Sequence, residues 1–204
     1  MRTILAIIAV ALIPAACSPG NGSAGVERNK VVAAGVTSTD SEHPMDHAVK
    51  QTLSQSKYDV TPLPPERVKE MASKLDPEAY RITQKEGTER AFCGTLLDNK
   101  KDGTYVCIVC GLPLFSSEHK FDSRTGWPSF YREFDPEHVV RHEDRAYGMV
   151  RTEIECARCG AHLGHVFDDG PRPTGERHCL NSASLRFFEA GQELPAESRP
   201  AAGE

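Results

Sequence analysis

Two copies of one short pattern, Cys107-Ile108-Val109-Cys110-Gly111 and Cys156-Ala157-Arg158-Cys159-Gly160, constrain this chain more than anything else in it. Four thiolates spaced this way suit tetrahedral zinc, and the glycine after each second cysteine permits the positive φ of a tight turn around sulfur. Disulfides or a redox C-x-x-C are the alternative, and export to an oxidising compartment would raise their weight. Two matched knuckles favour zinc, one structural ion per chain bound by Cys107, Cys110, Cys156 and Cys159. Four cysteine ligands leave no position open for water or substrate, so the expected role of the metal is to clip two hairpins together.

Three of the seven cysteines remain: Cys17, Cys93 and Cys179. Cys17 closes an N-terminal segment with one positive charge at Arg2, an apolar run from Ile4 to Ile13 and small residues beyond it, the layout of a secretory signal over residues 1–17. The run is short for a bilayer span, and the expected location is the periplasm or cell envelope. Ala15-Ala16-Cys17 resembles the end of a bacterial lipoprotein signal, but Pro14 stands where leucine is usual, which leaves lipid anchoring through Cys17 and soluble release both open.

Residues 18–62 are rich in Gly, Ser, Thr, Asn and charge and read as a flexible tether, with His43 and His47 solvated because Pro44 argues against a helix between them. A domain is expected over residues 63–190. Pro64-Pro65-Glu66 opens a helical segment to about Leu75, with Val68, Met71, Ala72 and Leu75 on one stripe, and Asp76-Pro77-Glu78 caps a short second turn. Short alternating runs punctuated by glycine follow, which predicts a mainly β domain, and residues 191–204 read as a disordered tail. A net charge of -5 lacks the basic field that nucleic-acid binding requires.

The stretch from Arg177 to Phe188 holds a thiol that the knuckles and the leader do not use. Read as one strand, it sets Arg177, Cys179, Asn181, Ala183, Leu185 and Phe187 on one face, so a cation lies beside the thiol and favours the nucleophilic thiolate. Taken alone, the stretch is better explained as a core strand carrying a small buried residue.

More motifs change that balance. C-x-x-C-G twice, Gly126-Trp127-Pro128-Ser129-Phe130, His162-Leu163-Gly164-His165-Val166-Phe167 with Asp169-Gly170-Pro171, and Arg177-x-Cys179-x-Asn181-Ser182-Ala183-Ser184-Leu185-Arg186-Phe187 occur in the chain. From about Pro64 to Phe188 the chain resembles methionine sulfoxide reductase B, which acts on the R epimer at sulfur. The resemblance implies a small domain of two twisted antiparallel sheets with a short N-terminal helical segment and a zinc clip of four cysteines. It also implies that Cys179 attacks the sulfoxide sulfur, releases methionine and becomes a sulfenic acid.

His162 and His165 match the pocket histidines, one of which can serve as acid. Asp169 matches an acidic position that can orient a histidine, and Arg177 and Asn181 match residues that position oxygen, histidine and thiolate. Trp127 is expected against the substrate methyl, with Phe130 of the same motif also expected to bind substrate. Cys93 stands where some relatives carry the second redox cysteine, while others carry it at Thr125, so Cys93 is assigned as the resolving thiol that forms a disulfide with Cys179. Arg124 in place of glycine and His178 in place of an aromatic bring local substrate contacts into question.

The expected partners are methionine sulfoxide, free or in oxidised proteins, and a thioredoxin-like reductant, acting on a monomer. Two competing readings are a zinc-clipped module without catalysis and a thiol–disulfide oxidoreductase using its C-x-x-C pairs. Neither explains a single thiol beside arginine and asparagine downstream of two histidines.

Overall fold

The computed structural model describes residues 51–199. The leader, Cys17, the tether up to residue 50 with His43 and His47, and residues 200–204 lie outside the described residues.

Two short helices open the domain. α1 (Pro65–Ala72) begins with proline at its first position, and α2 (Pro77–Gln84) is capped by Asp76, whose side chain accepts from the N–H groups of Glu78 and Ala79. The second element is thus a two-turn helix rather than a short turn, and it buries Ala79, Ile82 and Thr83. Among the described residues nine strands follow: β1 (Gly103–Cys107), β2 (Pro113–Ser116), β3 (Lys120–Phe121), β4 (Ser129–Phe130), β5 (Val139–Asp144), β6 (Arg151–Cys156), β7 (His162–Phe167), β8 (Arg177–Leu180) and β9 (Leu185–Glu189). They form a three-stranded sheet, β2-β1-β9, and a six-stranded sheet, β3-β4-β8-β7-β6-β5, with every pairing antiparallel. The mainly β architecture of two antiparallel sheets is the one the sequence predicts.

The long strand expected from Arg177 to Phe188 is two strands. β8 ends at Leu180, Asn181 leads into a 3-10 turn (Ser182–Ser184), and β9 joins the other sheet. Only Arg177 and Cys179 of the expected row share a β8 face, because the turn resets the alternation. Phe130 is also corrected. It is fully buried, with its ring 4.9 Å from Tyr105 and 4.8 Å from Phe115, so it joins the two sheets instead of contacting substrate. The strand period requires this: Phe130 pairs with His178 and Ser129 with Cys179, which puts Phe130 on the face away from the thiol.

His178 lies on that same inner side, fully buried, and donates from Nε2 to Glu133 Oε1 at 2.9 Å. Arg141 bridges Glu133 and Glu176 beside it. Burial pushes the Glu133 carboxyl up, but hydrogen bonding and charge from His178, with Arg141 adding to them, hold it down at about 2. The histidine therefore serves the interior and makes no substrate contact. Arg124 is exposed and adopts φ 58°, a left-handed backbone that explains why glycine suits this position.

Both domain boundaries differ from expectation. Residues 51–62 belong to the domain: Leu53 and Asp59 form a bridge, and Tyr58 and Val60 join the core. His138 Nε2 accepts from the Ser54 hydroxyl at 2.9 Å beneath them. The tail is docked as far as Arg199, with Ser198 buried and the Glu197 carbonyl accepting from Arg158.

Candidate active site

Cys179 stands in the six-stranded sheet with Ser129 of β4 directly opposite on one side and His165 of β7 on the other. Opposed residues of antiparallel strands share a face, so hydroxyl, thiol and imidazole stand in a row. Hydroxyls continue the row: Ser129 Oγ and Thr125 Oγ1 both meet Ser123 Oγ, and Thr125 Oγ1 lies 4.0 Å from Cys179 Sγ. Thr125, where the resemblance offers an alternative place for the second redox cysteine, thus faces Cys179.

The close approach of β7 to β8 requires a glycine. At Gly164 φ is 154°, and a Cβ there would lie 2.1 Å from the Cys179 carbonyl oxygen. One residue earlier the register with β6 slips, as Gly164 faces Ile154 but His162 faces Glu155. Leu163 is the extra residue of this bulge, and both histidines consequently fall on one side with ring centroids 5.6 Å apart.

Each histidine has its own carboxylate. His165 Nε2 donates to Asp144 Oδ2 at 2.9 Å, and His162 Nδ1 donates to Glu153 Oε1 at 2.5 Å. Asp144 also accepts from the Ala146 N–H and from Arg151, and these contacts, the Ala146 N–H first, hold its carboxyl down at about 2. Burial lowers the proton affinity of His165, with Asp144 opposing. Asp169, expected to orient a histidine, instead grips Arg177 through two hydrogen bonds of 2.8 and 3.0 Å. Arg177 also lies over the Phe167 ring at 4.4 Å.

The thiol itself departs from expectation. Burial pushes the Cys179 thiol above its ordinary value, and the charge of Arg177 with the Thr125 hydroxyl only partly offsets this. The thiol is thus harder to ionise than an ordinary cysteine even with the Arg177 guanidinium beside it.

Trp127 borders a 110 Å³ cavity that also touches Thr88, Arg151, His165, Phe167, Cys179 and Asn181. Asn181 is buried, and backbone groups engage its amide: Oδ1 accepts from the Glu89 N–H at 2.9 Å and Nδ2 donates to the Leu163 carbonyl at 3.1 Å. Its side chain fixes the pocket wall. Cys93 is partly exposed in a loop beside this site. The N–H of its neighbour Phe92 donates to the Gly126 carbonyl at 2.8 Å, next to Thr125. Cys93 is disulfide-bonded in this structure, and because Cys179 carries a free thiol, the bond is not to Cys179.

Asp144, Glu153, Arg151 and Glu89 are absent from the sequence-based set. The alternation Arg151-Thr152-Glu153-Ile154-Glu155-Cys156 was a usable signal, since it turns Arg151 and Glu153 to the face away from buried Ile154 and Cys156.

Away from this cavity, Cys107, Cys110, Cys156 and Cys159 converge with every sulfur within 4.8 Å of the others and could hold a metal ion. Gly111 and Gly160 adopt φ 77° and 66°, and their N–H groups donate to the carbonyls of Cys107 and Cys156, so the two knuckles have the same turn.

Gly164→Ala should cost about 1–3 kcal/mol of stability, because a methyl group meets backbone rather than a flexible side chain. Urea denaturation checks the stability loss, and any activity that draws on both side chains should fall with it as His165 and Cys179 separate. Unchanged stability and activity would contradict the close approach.

The SelR domain family matches residues 75–189. The chain is 51% identical over 138 residues to the peptide methionine sulfoxide reductase MsrB of Xylella fastidiosa (strain 9a5c), which covers 68% of this chain and 89% of the relative. Similarity to the protein of the same name from Hahella chejuensis is 54% identity over 128 residues, 63% of this chain and 92% of that one. Similarity to methionine-R-sulfoxide reductase B3, mitochondrial, of Mus musculus is 52% identity over 134 residues, 66% of this chain and 51% of that one. The domain match spans more than half of the chain, and its bounds take in the Cys179 strand and both knuckles: the chain belongs to the methionine sulfoxide reductase B family.

Proposed function

We propose that this chain reduces the R epimer of methionine sulfoxide to methionine, with Cys179 as nucleophile and Cys93 as resolving thiol. The observation that carries the reading is the free Cys179 thiol aligned with His165 in a small cavity bordered by Trp127. Sulfoxide sulfur is a weak electrophile until its oxygen is protonated, and the site brings the necessary proton in on Cys179 itself. Transfer of that proton by His165 to the oxygen, with Asp144 holding the ring, makes sulfur open to attack. The Cys179 sulfur supplies two electrons and receives the oxygen, so methionine leaves and a sulfenic acid remains. The indole of Trp127 offers an apolar face to the methyl group while the imidazole takes the oxygen, which selects one epimer.

The sulfenic acid returns to thiol when Cys93 attacks its sulfur, expelling water and forming a Cys93–Cys179 disulfide that a thioredoxin-like dithiol reduces. The Phe92 contact with Gly126, beside Thr125, supports this assignment, and Cys93 must first be released from its present disulfide. Substrate is methionine sulfoxide, free or within oxidised proteins, taken up by a monomer. Cys179→Ser should abolish reduction. Cys93→Ser should still release one methionine per site and leave a trappable sulfenic acid, yet stall with the protein donor while small thiols rescue it. Normal cycling of Cys93→Ser with the protein donor would reduce that thiol to a packing residue.

The metal fits zinc. Zn–S bonds of about 2.3 Å place tetrahedral sulfurs ~3.8 Å apart, and the Cys107–Cys159 and Cys110–Cys156 separations are 3.6 and 3.5 Å. Cys107, Cys110, Cys156 and Cys159 would hold the ion, which would neutralise their buried thiolates and tie the two knuckles together away from the Cys179 cavity. Metal analysis should find one zinc per chain, and Cys156→Ser should lose it together with thermal stability. A stable native protein free of zinc contradicts this.

The leader and polar tether support export and repair of oxidised envelope proteins, with lipid anchoring through Cys17 as one form of attachment. Fractionation should recover the native chain in the envelope, and Cys17→Ser separates anchoring from export. Recovery in the cytoplasm with Met1 retained would overturn the location.

A further inference from the structure

We infer that Glu89 is a positioning residue that fastens the two walls of the substrate pocket to the loop carrying Cys93. The inference rests on the function proposed above and extends it to a residue without direct contact with the reacting atoms. Glu89 is 7% exposed and reaches both walls at once. Its backbone N–H donates to Asn181 Oδ1 at 2.9 Å, and its carbonyl accepts from Trp127 Nε1 at 3.2 Å. One peptide neighbourhood therefore orients the amide on one side of the cavity and the indole on the other.

The side chain fixes that backbone. Oε1 accepts from the Ser182 N–H at 2.7 Å and Oε2 from the Ala183 N–H at 3.1 Å, so the carboxylate closes the open start of the turn between β8 and β9. Both oxygens are engaged in holding the turn, and the group is no proton donor to substrate. Further along the same loop, the Leu96 N–H donates to Ser182 Oγ at 3.3 Å. Only a glycine fits at Gly94, where a Cβ would stand 2.2 Å from Ser182 Oγ and 2.5 Å from Glu89 Oε1. The loop on which Cys93 travels is thus wrapped around the anchored carboxylate, and burial of that carboxyl is tolerated because two N–H groups meet it.

The sole tryptophan of the chain gives a local reporter. Glu89→Ala should raise KM for methionine-R-sulfoxide about tenfold with a smaller loss in kcat, because it disorders a binding wall and not the nucleophile. Trp127 emission should shift to the red and become more open to acrylamide, with zinc content unchanged. Glu89→Gln should recover part of the effect, since one oxygen can still accept an N–H, and it carries the test should the alanine variant fail to fold. In a Trp127→Phe background, Glu89→Ala should raise KM by clearly less than about tenfold, because the indole bond is already gone and only the Asn181 wall is left to loosen. Unchanged KM and emission in Glu89→Ala, or full additivity with Trp127→Phe, overturns the inference. Should the wild type fail to reduce the sulfoxide, the functional reading fails, while Trp127 emission still decides whether Glu89 positions the indole.

Discussion

Cys107 ends β1 in the three-stranded sheet and Cys156 ends β6 in the six-stranded sheet, so the convergence of the four cysteine sulfurs joins the two layers at one point. At another point the Phe130 ring lies against Tyr105 and Phe115. Between these fasteners β8 can stop at Leu180, turn within four residues and resume as β9 in the other layer. Cys179 stands just before that stop, which gives it strand neighbours on both sides and an open cavity beyond. Its precision comes from strands, and its access from their ending.

The site is organised across strands more than along them. Ser129, Cys179, His165 and Glu153 succeed one another through three ladders, while Arg177 reaches the thiol along β8. Burial and charge pull the thiol in opposite directions, and burial wins. Burial also lowers the proton affinity of His165. A thiol made harder to ionise beside an imidazole made harder to protonate suits the mechanism proposed above, in which a proton passes to the sulfoxide oxygen. In that proposed mechanism the arginine would stabilise charge as it develops, which is worth more than charge already present in the resting state.

Much of this was legible in the chain. The knuckles declare their turns through Gly111 and Gly160, and the motifs around Trp127, His165 and Cys179 identify the family. What the sequence concealed depends on register. Phe130 sits one residue from Ser129, yet the pleat sends them to opposite faces, so motif membership said nothing about which one meets substrate. Asp169 looks like a histidine partner in sequence, but the β7–β8 pairing brings Arg177 to Phe167 and hence within reach of it. The single-residue bulge at Leu163, which gathers both histidines onto one side, has no signature in residue type. Nor did low apolarity reveal that residues 51–62 dock, because Ser54 buries itself against His138 and half-buried Ser56 donates to Asp135.

The most direct test of the central claim is epimer-resolved turnover. Purified protein is mixed with a racemic methionine sulfoxide and dithiothreitol, and the remaining R and S epimers are separated and quantified with time. The account predicts loss of the R epimer with matching appearance of methionine while the S epimer persists. Consumption of both epimers alike, or of neither by a folded enzyme with a free Cys179, would contradict it.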